Sequence, residues 1–515
     1  METSPSSPSQ HGQSQPEISD DANPSEEPGG QGLGTTSIHP IFHPQQVSGV
    51  ELSAQAISDI IDCFYNTYHP HFPILPEYTD FIKTWNHSEL LLCTVIAIGS
   101  KELEAYSAYR LLLKSKIQQL AANFYSFQDA PVQSIQALLL LCWWPFNFSA
   151  TRNDPSWMYS GQAAHTALQH GLHRPHHHSD FVYRTGLDEA SVQIYRRVWA
   201  GCFIVNQMLS SHLGLPATIQ PTTFGNIRTN TLNLPAVLEK QVKLAHQCHT
   251  ICHVLGNYSG TTSGLLPNPE STIGAFDAQL NGLQDEIRTE LETDLFVEIA
   301  LHQVRLHLYA FVLTAQDYHH SRKSSKLEAS TNNLEETPYL VQGSSTAVNL
   351  INLVANRASQ KAWAAMARVA VLHALNFLLM LLTIPSYRDQ PALRTSISEA
   401  WRLLQSRSEF ENDTFSRMCK LTAYLCRVYT EDTDGGQESA FATWSVKSKM
   451  AANVVFENIW RAKKRFSQSV HDARPVDYTA AAEMEDLSML GFADELFDPS
   501  LFDGFDTDDA FGWLS

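Results

Sequence analysis

Long apolar runs are scarce in this 515-residue chain, and lysine and arginine are missing from both of its ends. The most apolar stretch, VAVLHALNFLLMLLTI from Val369 to Ile384, is interrupted by His373 and Asn376. It falls short of the ~20 apolar residues of a membrane span, so a buried core helix is expected and no membrane association. METSPSSPSQHGQSQPEISDD has neither a basic nor an apolar region, which excludes a secretory leader at this position. Also missing are a G-x-x-x-x-G-K-[ST] phosphate loop, a G-x-G-x-x-G turn, an H-E-x-x-H pair and a G-x-S-x-G elbow. Catalysis has no motif to stand on. No catalytic residue and no cofactor is predicted, and a helical enzyme would have to draw on His165, His170, His173 and Arg174 without a nucleophile.

The eight cysteines, Cys63, Cys93, Cys142, Cys202, Cys248, Cys252, Cys419 and Cys426, are scattered through apolar segments. That usage suits buried thiols in a reducing compartment rather than a disulfide framework. Six closely spaced cysteines in a basic setting, which would hold two zinc ions and place a helix in a major groove, are not found. Direct DNA binding by this chain is therefore not expected.

What is present is unevenly distributed. Of the formal charge of −19, six acids without a base lie in residues 1–46 and eleven more from Pro475 onward, which leaves −2 for the middle. A near-neutral body is no basic footprint for a phosphate backbone. Residues 1–46, rich in Ser, Pro, Gly and Gln, bury too little to offset ordering entropy and are expected to be a disordered arm. From 47 to 470 the pattern is helical. LSAQAISDIIDCFYNTY, 52–68, sets Leu52, Ala56, Ile60, Cys63 and Phe64 on one face, and similar patterns cover Glu102–Phe124 and Thr346–Thr383. Strand alternation is not sustained anywhere. The fold class read from this is all-α, with long loops at 256–274 and 321–345 and an acidic segment from 471 to 515.

Two histidine clusters have the residue types of metal sites. HQCHTICH, His246–His253, would stack His249 over His253 and Cys248 over Cys252 at i, i+4, ligand types that zinc accepts. The plainer reading is cysteines facing the core with histidines at the rim. HRPHHHSD, His173–Asp180, reads as solvated histidines after a helix end. No metal site is predicted.

Three stretches in order resemble the middle homology region of fungal transcription factors, the helical regulatory domain usually found downstream of a six-cysteine zinc cluster. FYNTYHPHFPILPEYTDF, with Phe72 and Pro73, is similar to the family's opening turn. WMYSGQAAHTALQHGLHRP matches its Trp157, then Gly161 and Ala164 on one helix face, then Gly171, Leu172 and His173 at the end. Gly161 and Ala164 would permit close helix approach, and Gly171 is placed as a left-handed C-cap. RRVWAGCFIVNQMLSSHLGLPATI resembles the Arg-Arg-aromatic helix of Arg196, Arg197 and Trp199 and its Gly-x-Pro turn at Gly214 and Pro216. Departures are a single tryptophan after the arginines, Asn206 where Asp is usual, Leu215 where Arg is usual, and His165 where Arg is common. The resemblance implies a nuclear transcriptional regulator of a metabolic or secondary-metabolite pathway, with a helical body that senses a small molecule.

The last stretch, EDLSMLGFADELFDPSLFDGFDTDDAFGWLS, alternates carboxylates with large apolar side chains. Leu487, Leu490, Phe492, Leu496 and Phe497 fall in its first half, and Leu501, Phe502, Phe505, Phe511 and Trp513 in its second. Self-repelling acids keep such a segment open and its rings available, the composition of an activation tail that meets coactivators. The alternative is a helix docked on the body. WRAKKRF offers Arg461, Lys463, Lys464 and Arg465 either as a nuclear import signal or as cations at a helix end. Partners expected are coactivators and a zinc cluster factor or a second copy. The alternative function is a cofactor or inhibitor that pairs with such factors.

Overall fold

Serine, aspartate and proline mark where the helices begin. The computed structural model describes residues 45–47, 49–84, 87–124, 130–149, 153–181, 187–221, 233–288, 294–314, 338–357, 363–388, 390–431 and 449–472. A two-stranded antiparallel hairpin comes first, β1 Gln45–Val47 and β2 Val50–Leu52, with Gln45 opposite Leu52. Leu52 therefore belongs to a strand, because the Ser53 hydroxyl accepts the Ala56 N–H at 3.1 Å and starts α1, Ala54–Cys63, only after it. The strands and the displaced helix start correct the expected helix from 52.

From there the chain is helical: α2 Tyr78–Thr84, α3 Glu89–Gly99, α4 Ala108–Ala122, α5 Pro131–Trp143, α6 Ser156–Gln169 and α7 Glu189–Leu213. The second half comprises α8 Ala236–Gly256, α9 Glu270–Arg288, α10 Leu295–Thr314, α11 Pro338–Asn356, α12 Ala365–Leu381, α13 Pro391–Gln405, α14 Thr414–Glu431 and α15 Asn453–Asp472. The all-α class holds, the hairpin being a small addition. The 102–124 pattern resolves into a 3-10 turn at Glu104–Tyr106 and then α4. The 346–383 pattern is two helices, α11 and α12, and α11 begins at Pro338, inside the span read as a loop to 345. The helical periodicity runs through both helices and does not mark the break between them.

The core runs through the molecule as one cluster. In the first half, α5 packs on α3, α6 and α7; in the second, α10 packs on α8, α11 and α12, and α12 on α13 and α15. Helices α5 and α12 are buried on nearly every face, which explains why their sequences lack an amphipathic stripe. His373 and Asn376 lie inside that buried run, Asn376 donating to the Leu372 carbonyl at 2.8 Å. Among the described residues α10 is the helix long and apolar enough to cross a membrane, from Leu295 to Leu313, and 78% of it is buried inside the fold. That burial is what a core helix requires.

Candidate functional site

The motif residues of the first half converge on one packing centre. The Phe72 ring lies flat on Trp143, centroids 4.2 Å apart and planes 2° apart, with Pro73, Ile74 and Leu75 buried beside it. Helix α7 passes over this turn. A Cβ at Gly201 would stand 2.9 Å from Ile74 and 3.1 Å from Leu139, so the close approach of α7 to α5 depends on Gly201. Gly161 does not have the role its spacing implied. Nothing lies within 4 Å of its would-be Cβ, because it sits on a half-exposed face of α6 while Ala163, Ala164 and Ala167 make the contact. Trp157 is half-buried against the core.

At the end of α6, Gly171 adopts φ +69°, the Leu172 N–H donates to the Ala167 carbonyl at 2.9 Å and the Gly171 N–H to Leu168 at 3.1 Å. This pair of bonds satisfies the last carbonyls of the helix. His173 then lies edge-on to Phe181, 4.9 Å away, and 5.8 Å from Trp199. His165 is exposed on α6, so the histidines and Arg174 do not gather into one group. Arg197 donates to the Leu75 carbonyl at 3.3 Å and to Glu77 at 3.2 Å, and Arg196 reaches His176 and Glu189. The arginines thus tie α7 to the opening turn and to the histidine segment. That segment, read as solvated, is a 3-10 turn at Pro175–Asp180 in which His178 is buried beside Tyr195.

Asn206 does what the motif leaves unstated. Its Oδ1 accepts the Thr218 and Ile219 N–H groups at 3.0 and 3.1 Å, and its Nδ2 donates to the Thr218 hydroxyl at 2.8 Å. An amide can serve both sides where a carboxylate could only accept. The Gly214–Pro216 turn is held next to it: Gly214 is left-handed at φ +64°, the Leu215 N–H bonds Ser210, and Pro216 stays exposed.

Beyond this turn, α7 and α8 border two adjoining hollows. The outer cleft, of about 100 Å³, is lined by Gln207, Ser211, Pro216 and by Cys248, His249, Cys252 and His253 of α8. An inner hollow of about 40 Å³ shares Gln207, Ser211 and Cys248 and continues to Gln241 on α8 and to Gln303 and His307 on α10. The sequence-based pairing of His249 with His253 appears as stacked rings 5.8 Å apart, and all eight cysteines are free thiols. Among the described residues no group of three or more His, Cys, Asp or Glu is placed to hold a metal ion. Gln207 is the bridge between the hollows: its Nε2 donates to the Ile219 carbonyl at 3.0 Å and its Oε1 takes the His249 Nδ1–H at 3.0 Å. Sequence reasoning missed Gln207, Ser211, Gln241, Gln303 and His307. A usable signal existed for four of them: Gln207 and Ser211 on α7, and Gln303 and His307 on α10, are polar pairs four residues apart.

Burial governs the histidines around these hollows. It pulls His249 down to about 4, with His253 and His246 adding repulsion, and His302 to about 4. It pulls His373 to about 3 and His307 well below the ordinary 6.5. The unfolded rings take up protons near 6.5, the folded ones only well below. Stability conferred by keeping them neutral is therefore complete above pH 6.5 and is lost as pH falls toward about 4. Urea midpoints should be level at and above neutrality and clearly lower near pH 5; a midpoint unchanged at pH 5 would contradict the burial of these rings.

The cations of WRAKKRF are only partly available. Arg461 is 5% exposed and its Nε lies 2.9 Å from Glu457, which is fully buried. An import receptor could not reach Arg461, so it is withdrawn from the candidate signal. Lys463 and Arg465 are half-buried, and exposed Lys464 sits over the Trp460 ring at 5.1 Å. The tail residues Leu487, Leu490, Phe492, Leu496, Phe497, Leu501, Phe502, Phe505, Phe511 and Trp513 lie outside the described residues, as do 1–44 and 321–337.

Residues 61–241 match the family described as the fungal specific transcription factor domain, a span that contains α2 to α7, the Phe72–Pro73 and Gly214–Pro216 turns and the start of α8. The chain is similar to SEF1 of Eremothecium gossypii, 26% identical over 313 residues, which cover 59% of this chain and 28% of that protein. It is similar to the transcriptional regulatory protein SEF1 of Candida albicans, 27% identical over 252 residues, 47% of this chain and 27% of the other. A third similarity is to the regulatory protein LEU3 of Saccharomyces cerevisiae, 22% identical over 294 residues, 53% and 33% respectively. The matches thus span about a quarter to a third of the length of these relatives.

Proposed function

We propose that this chain is a transcriptional regulator acting in the nucleus, its helical body a regulatory domain and its acidic end an activation tail. The observation that carries the reading is the family match over residues 61–241, whose motif residues form the packing centre and the turn beside the cleft. Almost all of the −19 charge belongs to the ends, and the near-neutral middle carries no net excess of cations for a phosphate backbone. DNA contact then comes through a partner, a zinc cluster factor or a second copy, and output comes through coactivators. The activated genes belong to a metabolic or secondary-metabolite pathway, as the family resemblance implies.

The tail's role follows from its chemistry. Its rings and leucines alternate with carboxylates and meet no lysine or arginine. In a coactivator groove each buried Phe or Leu would contribute roughly 1.5–3 kcal/mol, and the acids would face a basic rim. Residues 476–515 fused to a heterologous DNA-binding module should raise reporter output many-fold over the module alone. Replacing Phe497, Phe502, Phe505 and Trp513 by alanine should abolish the gain, whereas removal of one Asp should reduce it little. Output equal to that of the bare module would remove the activation claim.

A second reading, a cofactor or inhibitor that pairs with zinc cluster factors, rests on the near-neutral middle of the chain, which has no net excess of cations for a phosphate backbone. Such a protein would bind those factors and fail the fusion assay.

A further inference from the structure

Three sulfur-bearing side chains line the outer cleft where α8 meets the turn at Met450–Ala452: Cys248, Cys252 and Met450. Cys248, Cys252 and Gly256 stand at i, i+4 and i+8 and so form one stripe along α8. A hydrogen bond joins the two thiols; Cys248 is also bonded to the Ser211 hydroxyl, and Cys252 to the Ala451 N–H. The third position of the stripe makes room for the methionine, since a Cβ at Gly256 would stand 2.9 Å from Cβ and Cγ of Met450. Met450 itself is held at φ +48°, in the left-handed region that residues with a side chain seldom occupy. Such strain clusters at sites that bind or react.

Two common fates of cysteine do not suit this pair. A disulfide needs Cβ atoms about 3.5–4.5 Å apart, whereas helix neighbours at i, i+4 keep theirs about 5–6 Å apart, so oxidation would have to distort α8. A structural zinc ion takes four ligands, and among the described residues no group of three or more His, Cys, Asp or Glu is placed to supply them. The cleft lining also holds no Asp or Glu, so a hard cation finds no carboxylate there. An ion inserted between the sulfurs spans the wider gap, and a soft one, copper(I), is satisfied by two or three sulfur ligands. The bond between the thiols holds Cys248 below the ordinary thiol range and Cys252 well above it, so the pair keeps a proton between its sulfurs that a cation can replace.

We propose that the outer cleft is a copper(I) site, with the Cys248 and Cys252 thiolates as two ligands and the Met450 thioether as the third. Binding forms the copper–sulfur bonds and releases both thiol protons to water; no electron moves. The Ser211 hydroxyl and the Ala451 N–H stand beside the charged sulfurs, and hydrogen bonds to a thiolate favour it. The ion ties α8 to the turn that precedes α15. None of this depends on a role in transcription.

The test titrates the whole reduced chain with copper(I), without oxygen, against a chromogenic copper(I) chelator. One ion per chain should be taken from the chelator, with a thiolate-to-copper charge-transfer band in the ultraviolet and a raised melting temperature, because an ion bound only by the folded state stabilises it. Cys252→Ser should weaken binding at least ~100-fold, and Met450→Leu about tenfold. Cys63→Ser, half-buried on α1 and absent from the cleft lining, should change nothing. Circular dichroism of each metal-free variant checks its folding. X-ray absorption of the loaded wild-type chain gives a readout that needs no variant, and it should show a shell of sulfur around copper. The proposal is overturned if no copper is taken from the chelator, if zinc(II) binds as tightly as copper(I), or if the shell is nitrogen, as His249 and His253 would give. It is equally overturned by wild-type affinity in folded Cys252→Ser, the result expected when other cysteines take the ion. These outcomes involve no DNA and no reporter, so they are independent of the fusion assay.

Discussion

Gly214→Ala should destabilise the protein by roughly 2–5 kcal/mol. Two costs combine. The residue ends α7 in the left-handed region, φ +64°, where a Cβ costs about 1–2 kcal/mol. That Cβ would also stand 2.4 Å from the Lys449 carbonyl oxygen, and the obstacle is backbone rather than a side chain able to turn away. Lys449 is fixed in turn, its carbonyl accepting the Ala452 N–H at 3.0 Å and its N–H donating to Asn453 at 3.2 Å. Relief would require moving the start of α15, adding ~1–3 kcal/mol of overpacking. The matched control is Gly161→Ala, in open space on a helix, which should be neutral or stabilise by up to ~1 kcal/mol. Urea unfolding of both variants decides the matter. Equal effects would mean that the glycines of the two motifs serve the same purpose.

Arg461→Met should cost about 3–5 kcal/mol, the other large effect, because it leaves fully buried Glu457 without its ion-pair partner. The loss spreads to a polar network. Tyr429 of α14 also bonds Arg461, and its hydroxyl donates to Asn458, whose Nδ2 in turn donates to the Asn376 carbonyl at 2.9 Å. Lys464→Ala, at an exposed site four helix positions from Trp460, should stay within about 0.5 kcal/mol. Replacing both partners, Glu457 with Leu and Arg461 with Met, should recover much of the loss. If Arg461→Met proved as mild as Lys464→Ala, the cation would be available on the surface after all, and its place in an import signal would be restored.

These two arginine-and-lysine positions show how differently neighbouring letters can be read. In WRAKKRF each cation looks alike, since charge and spacing suit a signal as well as a helix end. Burial separates Arg461 from Lys464, and burial depends on α12 and α14, which lie far away in sequence. The motif glycines behave the same way. Gly171 and Gly214 stand before or after recognisable helix stops, so a left-handed role is readable locally. The choice between Gly161 and Gly201 as the point of close approach depends on which helix face meets Phe72 and Trp143, and no local pattern states that. The cleft was hardest to see. Its polar members are divided among α7, α8 and α10, and nothing within one helix says which residues of another it will meet.

The sequence by itself determined the helical class, the helix stops, the uneven charge and the order of the three family-like stretches, because periodicity, capping and composition act over a few residues. Tertiary structure alone decided which glycine brings helices together, which cation is buried, and that residues of α7, α8 and α10 border adjoining hollows. Those facts arise from contacts between segments tens to hundreds of residues apart, where packing fixes orientation after local preference has been met.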